Sequence, residues 1–280
     1  MRAVVTAVAV VLVAACGPAR EAAPLTERDF VRATAPRDAA ADSAFADSLL
    51  RAAEDIGAAI TERPSADTAP TRDPLAIHNT LRAYAEGTYI GELFAARDSV
   101  NYRWPDRTRD PLHVWIQRSA LDGFSEEHRT IVRDAFGPWT DVGIPVAFDF
   151  IADSARADIH VTWVDRYESR TTGRTRWVHD QHGWITGAGI ELALAQPDGR
   201  TLDAESMRAI ARHEIGHLLG LEHTVDESNI MSARVRVSEL SEADRATVRL
   251  VYKLPPGSVR ALSAVPTSAS RSSSPVRAPR

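Results

Sequence analysis

The sequence predicts an α+β fold, because strand patterns and helix patterns are mixed along the chain without strict alternation. Residues 145–151 and 157–163 alternate between faces as half-buried strands do, and 112–116 and 190–194 are short apolar runs. Helices are indicated where a capping residue precedes helical spacing, as at Ser125, Asp203 and Ser241. The polar, glycine-bearing stretch 165–189 is predicted to form a long loop or a weak hairpin.

Composition divides the chain into five parts. Residues 1–15 are predicted to be a signal peptide, and residues 16–73, rich in Ala, Asp, Arg, Pro and Thr, a flexible tether. Residues 74–100 carry more apolar anchors and are either a helical preface to the main domain or part of a prosegment. Residues 101–254 form the main domain. The tail 255–280, rich in Ser, Pro and Arg without acidic residues, is predicted to be disordered.

The N-terminus has the layout of an export signal. Arg2 precedes an apolar run, 3–13, that is too short to span a bilayer comfortably. The run leads into Val-Ala-Ala-Cys-Gly around Cys16, which resembles a bacterial lipobox, so lipidation of Cys16 is expected. Under this hypothesis, the lipid on Cys16 anchors the protein to the cell envelope, at the outer membrane or cell surface. The alternative is an ordinary cleaved signal peptide and a secreted protein.

Charge and cysteine content narrow the possible partners. The formal net charge of −5 and the absence of a basic face argue against nucleic acid as a partner. Cys16 is the single cysteine, so a lipidated chain would hold no disulfide. Lipid is then the expected link to a membrane, because no other stretch of the sequence is long enough to cross one. We expect a monomer.

Residues 213–223 carry the strongest functional pattern in the chain, His-Glu-Ile-Gly-His-Leu-Leu-Gly-Leu-Glu-His. His213 and His217 are four residues apart and therefore lie one turn apart on the same helical face. Gly220 can adopt a positive φ that ends the helix and returns His223 towards the same point. Glu214 lies beside the first histidine and is free to act as a base. This spacing is typical of a catalytic zinc site; the alternative is histidines that merely decorate an amphipathic helix.

The chain resembles the metzincin metallopeptidases, and among them the matrixins. The resemblance rests on the motif above, on Thr224 after the third histidine, and on Asn-Ile-Met ending at Met231, which is similar to a Met-turn. With weaker upstream matches it covers residues 101–254. It implies a twisted, mixed, mostly parallel sheet with an antiparallel edge strand, an active-site helix and a C-terminal helix.

The resemblance also implies the chemistry of a zinc metalloendopeptidase. One catalytic Zn²⁺ would be held by His213, His217 and His223, with Met231 as a platform beneath it. Zinc would activate a water, and Glu214 would be the general base. A peptide or protein substrate would lie extended along the edge strand, which we expect to be formed by Ile190, Glu191, Leu192, Ala193 and Leu194.

The sequence departs from the family at two places. Ala233 and Val235 stand where matrixins often have Pro and Tyr, in the wall of a specificity pocket. The strand before the active-site helix lacks a histidine for a second, structural zinc; His179 and His182 could contribute to such a site, or lie in a solvated loop. Structural Ca²⁺ or a second Zn²⁺ therefore stays open. The alternative function is an inactive metzincin-like envelope lipoprotein that binds peptides or proteins.

Overall fold

The structure is a computed structural model that describes residues 72–169 and 171–260, with the main chain of Ala9–Leu12 and Gly17–Pro18. Cys16, most of the predicted signal peptide and tether, and the tail beyond residue 260 lie outside the described residues. Within the part of the chain that is described, no helix has the length and apolar character that a membrane span needs.

A twisted sheet forms the centre of the molecule. The strands of the described residues are β1 Ala9–Leu12, β2 Gly17–Pro18, β3 Val100–Asn101, β4 Arg107–Ile116, β5 Val146–Phe150, β6 Ile159–Val164, β7 Gly173–His179, β8 Ile185–Ala193, β9 Arg234–Val235 and β10 Gly257–Ser258. Five of them form the central sheet in the order β7-β8-β6-β4-β5. Neighbouring strands are parallel except for β7, which is antiparallel to β8 at the edge. The short strand β1 pairs antiparallel with the outer side of β7.

Helices pack on the sheet and on one another. They are α1 Pro74–Tyr84, α2 Ile90–Ala96, α3 Glu126–Ala135, α4 Gly137–Thr140, α5 Ala204–Leu218 and α6 Glu242–Lys253. The long helix α5 contacts β7, β8 and α3, while α1 and α2 pack against the last helix, α6. The predicted α+β class, with a mostly parallel sheet and an antiparallel edge strand, is confirmed.

Local sequence explains where these elements begin. The Asp203 carboxylate accepts a hydrogen bond from the Ser206 N–H at 2.7 Å, which caps α5. The Ser241 hydroxyl accepts from the Asp244 N–H at 3.0 Å and caps α6 in the same way. In β6 every second side chain is buried, from Ile159 to Trp163, because successive residues of a strand point to opposite faces.

The prediction that residues 190–194 form the edge strand is wrong. Ile190, Glu191, Leu192, Ala193 and Leu194 belong to β8 or follow it, and β8 is bonded to β6 on one side and β7 on the other. The side chains of Ile190, Leu192, Ala193 and Leu194 are all buried, so consecutive residues on both faces of the strand avoid solvent, which accounts for the nearly continuous apolar run. The edge strand lies instead within 165–189, where the hairpin alternative holds: β7 turns into β8.

The predicted disordered tail begins too early. Gly257–Ser258 pair antiparallel with Val100–Asn101, and Val259 N–H donates to the carbonyl of Ser99 at 2.8 Å. The Asn101 side-chain amide donates to the carbonyls of Val251 and Pro255, both at 3.0 Å. Composition predicts a solvated segment, but this strand pairing and the hydrogen bond from Asn101 to Pro255, 154 positions away, hold 255–260 on the domain.

Candidate metal centre and active site

The end of α5 and the turn after it bring three histidines together. His213 and His217 are buried on one face of the helix, and Gly220 follows with φ of +94°. A side chain at Gly220 would also approach the Tyr102 carbonyl oxygen to 2.3 Å, so glycine is needed for both conformation and space. The chain then returns His223 to the first two rings, and the candidate ligand atoms of the three side chains lie within 4.8 Å of one another.

Main-chain carbonyls orient two of the rings. His213 Nδ1 lies 2.6 Å from the carbonyl of Ile230, and His217 Nδ1 lies 2.9 Å from that of Leu221. With a proton on each Nδ1, each Nε2 has a lone pair that can bind a metal. The buried Nε2 of His213 has no hydrogen-bond partner among the described residues, which is the state expected of an atom that serves as a ligand.

The electrostatics favour neutral imidazoles. Burial lowers the pKa of His213 to about 3, and it also lowers the pKa values of His217 and His223. Three neutral nitrogen donors match the set of protein ligands that a catalytic zinc takes. The residues therefore fit Zn²⁺.

The loop that carries Met231 lies next to the helix and the turn that carry the three histidines. The Met231 carbonyl accepts a hydrogen bond from the N–H of Thr224, next to His223, at 3.0 Å. The Asp244 carboxylate accepts from the Ile230 N–H at 2.9 Å and so fixes the carbonyl that orients His213. The buried Met231 side chain lies against Gly216, between the two helical histidines.

Glu214 is completely buried and held by the edge strand. The Thr175 hydroxyl lies 2.7 Å from its Oε2 and 2.9 Å from its main-chain oxygen. Gly173 leaves room for the carboxyl group, since a Cβ there would approach Oε1 to 2.6 Å. Burial raises the pKa of Glu214 to about 8, although the hydrogen bond from Thr175 opposes the shift. Such a pKa suits a group that accepts and returns protons near neutral pH.

The structure places most of the predicted site residues together. Glu214, Gly220 and Met231 lie next to the three histidines. The predicted substrate strand, residues 190–194, is instead separated from the outer edge of the sheet by β7. Sequence reasoning missed Gly173 and Thr175, which contact Glu214 directly. In the sequence, Thr175 and Trp177 alternate with Arg174 and Arg176, and this period of two was the available signal for a strand there.

His179 and His182 lie in the hairpin between β7 and β8. His179 Nδ1 is 2.7 Å from the Asp180 carbonyl, and the Asp180 carboxylate accepts from the N–H groups of His182 and Trp184. These bonds are those of a turn. In residues 72–169 and 171–260, the triad of His213, His217 and His223 is the one group of three or more His, Cys, Asp or Glu side chains placed to hold a metal.

Comparisons with known proteins agree with this geometry. A model of the family described as Matrixin matches residues 103–253. Metalloendoproteinase 1-MMP of Arabidopsis thaliana is 29% identical over 163 residues, which cover 53% of this chain and 44% of that protein. Metalloendoproteinase 5-MMP of the same plant is 28% identical over 171 residues, covering 54% and 45%.

Metalloendoproteinase 1 of Glycine max is 25% identical over 175 residues, which cover 55% of this chain and 54% of that protein. The chain spans about half the length of the curated relatives it matches. The family model covers more than half of the chain, including all three histidines, Glu214 and Met231. The chain therefore belongs to the matrixin family of metallopeptidases.

Proposed function

We propose that this protein is a zinc metalloendopeptidase that cleaves extended polypeptide segments. The observation that carries the proposal is the placement of Glu214 beside the triad of His213, His217 and His223, buried and held by the Thr175 hydroxyl. A site that only stores a metal needs no buried carboxyl group beside the three histidines. Family membership and the names of the relatives support the same reaction class.

His213, His217 and His223 would hold the metal through Nε2, and a zinc ion bound there supplies Lewis acidity to a water and to the scissile carbonyl. Glu214 accepts a proton at its carboxylate and later returns it to the leaving amine. Thr175 keeps that carboxylate aligned, and the burial of Glu214 keeps its proton affinity high. Met231 supports the histidines from below and takes no part in proton transfer.

The substrate would add a strand to the outer side of β7. Support comes from the chain itself, because Ala9–Leu12 pair antiparallel with β7 and Gly17–Pro18 pair parallel with β9. The outer edge of β7 and one edge of β9 can thus each pair with an extended segment, as in strand addition. Val235, in β9, lies at the position where matrixins have part of the pocket wall, so the preferred side chain at the cut would differ from theirs.

We further propose that the protein is a monomer held on the cell envelope by a lipid on Cys16, or is secreted where Cys16 carries no lipid. Support for export is the apolar run after Arg2 and its lipobox-like end. Mass spectrometry of the protein isolated from its native envelope would detect the added lipid mass on Cys16.

Cleavage of a mixed peptide library tests the peptidase activity. The zinc-loaded full chain is compared with Glu214→Ala and with Glu205→Ala, which removes an exposed glutamate from the first turn of the same helix. We expect cleavage by the wild type and by Glu205→Ala, and none by Glu214→Ala although zinc stays bound. Zinc binding without cleavage by any of the three would favour the alternative, an inactive peptide-binding lipoprotein.

A further inference from the structure

Arg97, the residue that follows α2, holds the loop that carries His223. This third-ligand loop comprises residues 220–225. The Arg97 guanidinium donates to the carbonyl of Gly220 at 2.9 Å and to that of Leu221 at 3.3 Å, and its Nε donates to the Glu222 carboxylate at 2.6 Å. One side chain therefore bonds to the three residues that come immediately before His223.

The same helix bonds to the loop on the other side of His223. The Glu92 carboxylate accepts a hydrogen bond from the Val225 N–H at 2.8 Å. Glu92 and Arg97 are both on the α2 segment, more than 120 residues away from the loop in sequence. Together they fix the main chain before and after the third histidine, which has no helix of its own to position it.

Arg97 also reaches a second ligand through a shared carbonyl. The Leu221 oxygen that accepts from Arg97 lies 2.9 Å from Nδ1 of His217. A carbonyl that orients a ligand histidine determines where the other ring nitrogen points. Movement of this carbonyl would therefore turn His217 as well as shift His223.

Packing leaves Arg97 little freedom. Its side chain is 3% exposed, and its guanidinium carbon lies 5.1 Å from the ring centre of Trp177 and 5.7 Å from that of Tyr102. The planar group thus lies against two neighbouring aromatic rings while its N–H groups point at fixed oxygens, a use that suits arginine better than lysine.

A second contact connects the same segment to His213. Tyr89, at the start of α2, donates from its hydroxyl to Asp244 at 3.0 Å. The other oxygen of Asp244 accepts from the N–H of Ile230, whose carbonyl lies 2.6 Å from His213 Nδ1. The segment before the matched family region, which starts at residue 103, thus supports all three ligands.

We propose that residues 72–101 are a permanent part of the catalytic unit and that Arg97 is a positioning residue for His217 and His223. The proposal rests on the metal site of the proposed function, not on peptide cleavage. It decides between the two interpretations of 74–100: the segment is a built-in support, and a maturation cut would fall before residue 72.

Zinc affinity and the absorption spectrum of the cobalt-substituted full chain test the role of Arg97. We expect Arg97→Ala to raise the zinc dissociation constant about 10- to 100-fold, as loss of a residue that orients ligands does, and to change the cobalt spectrum. Arg97→Lys should recover only part of the affinity, because it keeps the charge and loses the fork of donors. Competition with a chelator of known affinity gives the constant.

Arg103→Ala is the matched control. Arg103 also donates to two main-chain carbonyls, those of Leu254 and Trp104, and lies over two aromatic rings, but it supports the end of α6. We expect it to lower thermal stability while zinc affinity stays within about 3-fold. Equal zinc affinity and an unchanged spectrum for Arg97→Ala would overturn the proposal, and a wild type that binds no zinc would contradict the proposed function instead.

Milder variants keep the test decisive if Arg97→Ala does not fold. Glu222→Gln and Glu92→Gln each remove the negative charge from one hydrogen-bond acceptor and so weaken that bond, and we expect each to weaken zinc binding about 3- to 10-fold. Unchanged affinity in both would overturn the proposal. So would a folded, zinc-binding form of the native protein whose N-terminus, determined by mass spectrometry, lies after Asn101.

Discussion

The sulphur of Met231 fills the space that a side chain at Gly216 would need. A Cβ placed on Gly216 would lie 2.2 Å from Met231 Sδ and 3.0 Å from the Trp139 ring. Because Gly216 lies between His213 and His217, this close approach fixes the distance between the active-site helix and the methionine loop. We expect Gly216→Ala to lower the free energy of unfolding by about 1–3 kcal/mol, through overpacking, as measured by urea denaturation.

Gly91→Ala provides the comparison for that variant. Gly91 is also inside a helix, α2, and no atom lies within 4 Å of a Cβ built there. Alanine should therefore be neutral or stabilise the protein by about 0.5–1 kcal/mol, the ordinary difference in helix propensity. Equal effects of the two substitutions would show that the contact with Met231 is unimportant.

Gly173 leaves room for the carboxyl group of Glu214, the proposed general base, and its replacement should separate metal binding from catalysis. A Cβ at Gly173 would come within 3 Å of three atoms of the Glu214 side chain, at 2.6, 2.8 and 2.9 Å. We expect Gly173→Ala to displace the carboxylate and to lower kcat about 100-fold, the usual cost of misplacing a catalytic group by about 1 Å. Zinc affinity should stay within about 3-fold of the wild type, measured by chelator competition.

Gly187→Ala, in the neighbouring strand β8, is the control. Its Cβ would meet Val178 at 3.4 Å, which is tolerable, so kcat should stay close to that of the wild type. If Gly173→Ala were as active as this control, the position of the Glu214 carboxylate beside Gly173 would not be the one that catalysis requires.

The Thr175 hydroxyl should contribute to the rate and little to substrate binding. Thr175→Val keeps the shape of the side chain but removes the group that lies 2.7 Å from Glu214 Oε2. Loss of a hydrogen bond to a charged group costs about 1.5–3 kcal/mol, so we expect kcat to fall about 10- to 100-fold with KM nearly unchanged. Thr175→Ser retains the hydroxyl and should keep most of the rate. A change confined to KM would contradict this role.

The raised pKa of Glu214 predicts how the stability of the metal-free protein depends on pH. Burial places the pKa near 8 in the folded state, above the ordinary value of 4.5, so the folded form binds the proton more tightly than the unfolded form. The stability gained from that proton is complete below pH 4.5 and is lost as the pH rises to 8. Relative to Glu214→Gln, the wild type should lose up to about 1.4 kcal/mol per pH unit in this interval.

Urea denaturation of both chelator-treated proteins at pH 5, 6, 7 and 8 measures this difference. The depressed pKa values of His213, His217 and His223 act in the opposite direction, but they do so in both proteins and cancel in the comparison. A difference that stays constant with pH would mean that Glu214 is ionised in the folded protein.

Local chemistry explains what the sequence could predict. His213, His217 and Gly220 are only a few positions apart. The helix and the turn that they form can therefore be recognised from the sequence alone. The edge strand was misassigned because pairing is a property of the whole sheet. Nothing within residues 190–194 says that a second strand, 173–179, returns along their outer side.

The support from Arg97 was beyond reach for a similar reason. Its bonds to the third-ligand loop join residues about 125 positions apart, and an arginine in an alanine-rich stretch carries no local sign of such a partner. Contacts of this kind become predictable only when the three-dimensional arrangement of α2 and the loop after α5 is known. The sequence could therefore predict the candidate metal ligands, but it could not predict the residues that position them.

The segment before the sheet and the segment after α6 meet where Val100–Asn101 pair with Gly257–Ser258, so the two ends of residues 72–260 lie close together. Arg72, near the start of this range, donates to the carbonyl of Pro256, near its end, at 3.2 Å. A domain whose two ends are neighbours suits circular permutation. A short linker joining these ends, with new termini opened in an exposed loop, should leave the histidine centre intact, and it offers a way to display the domain from another point on its surface.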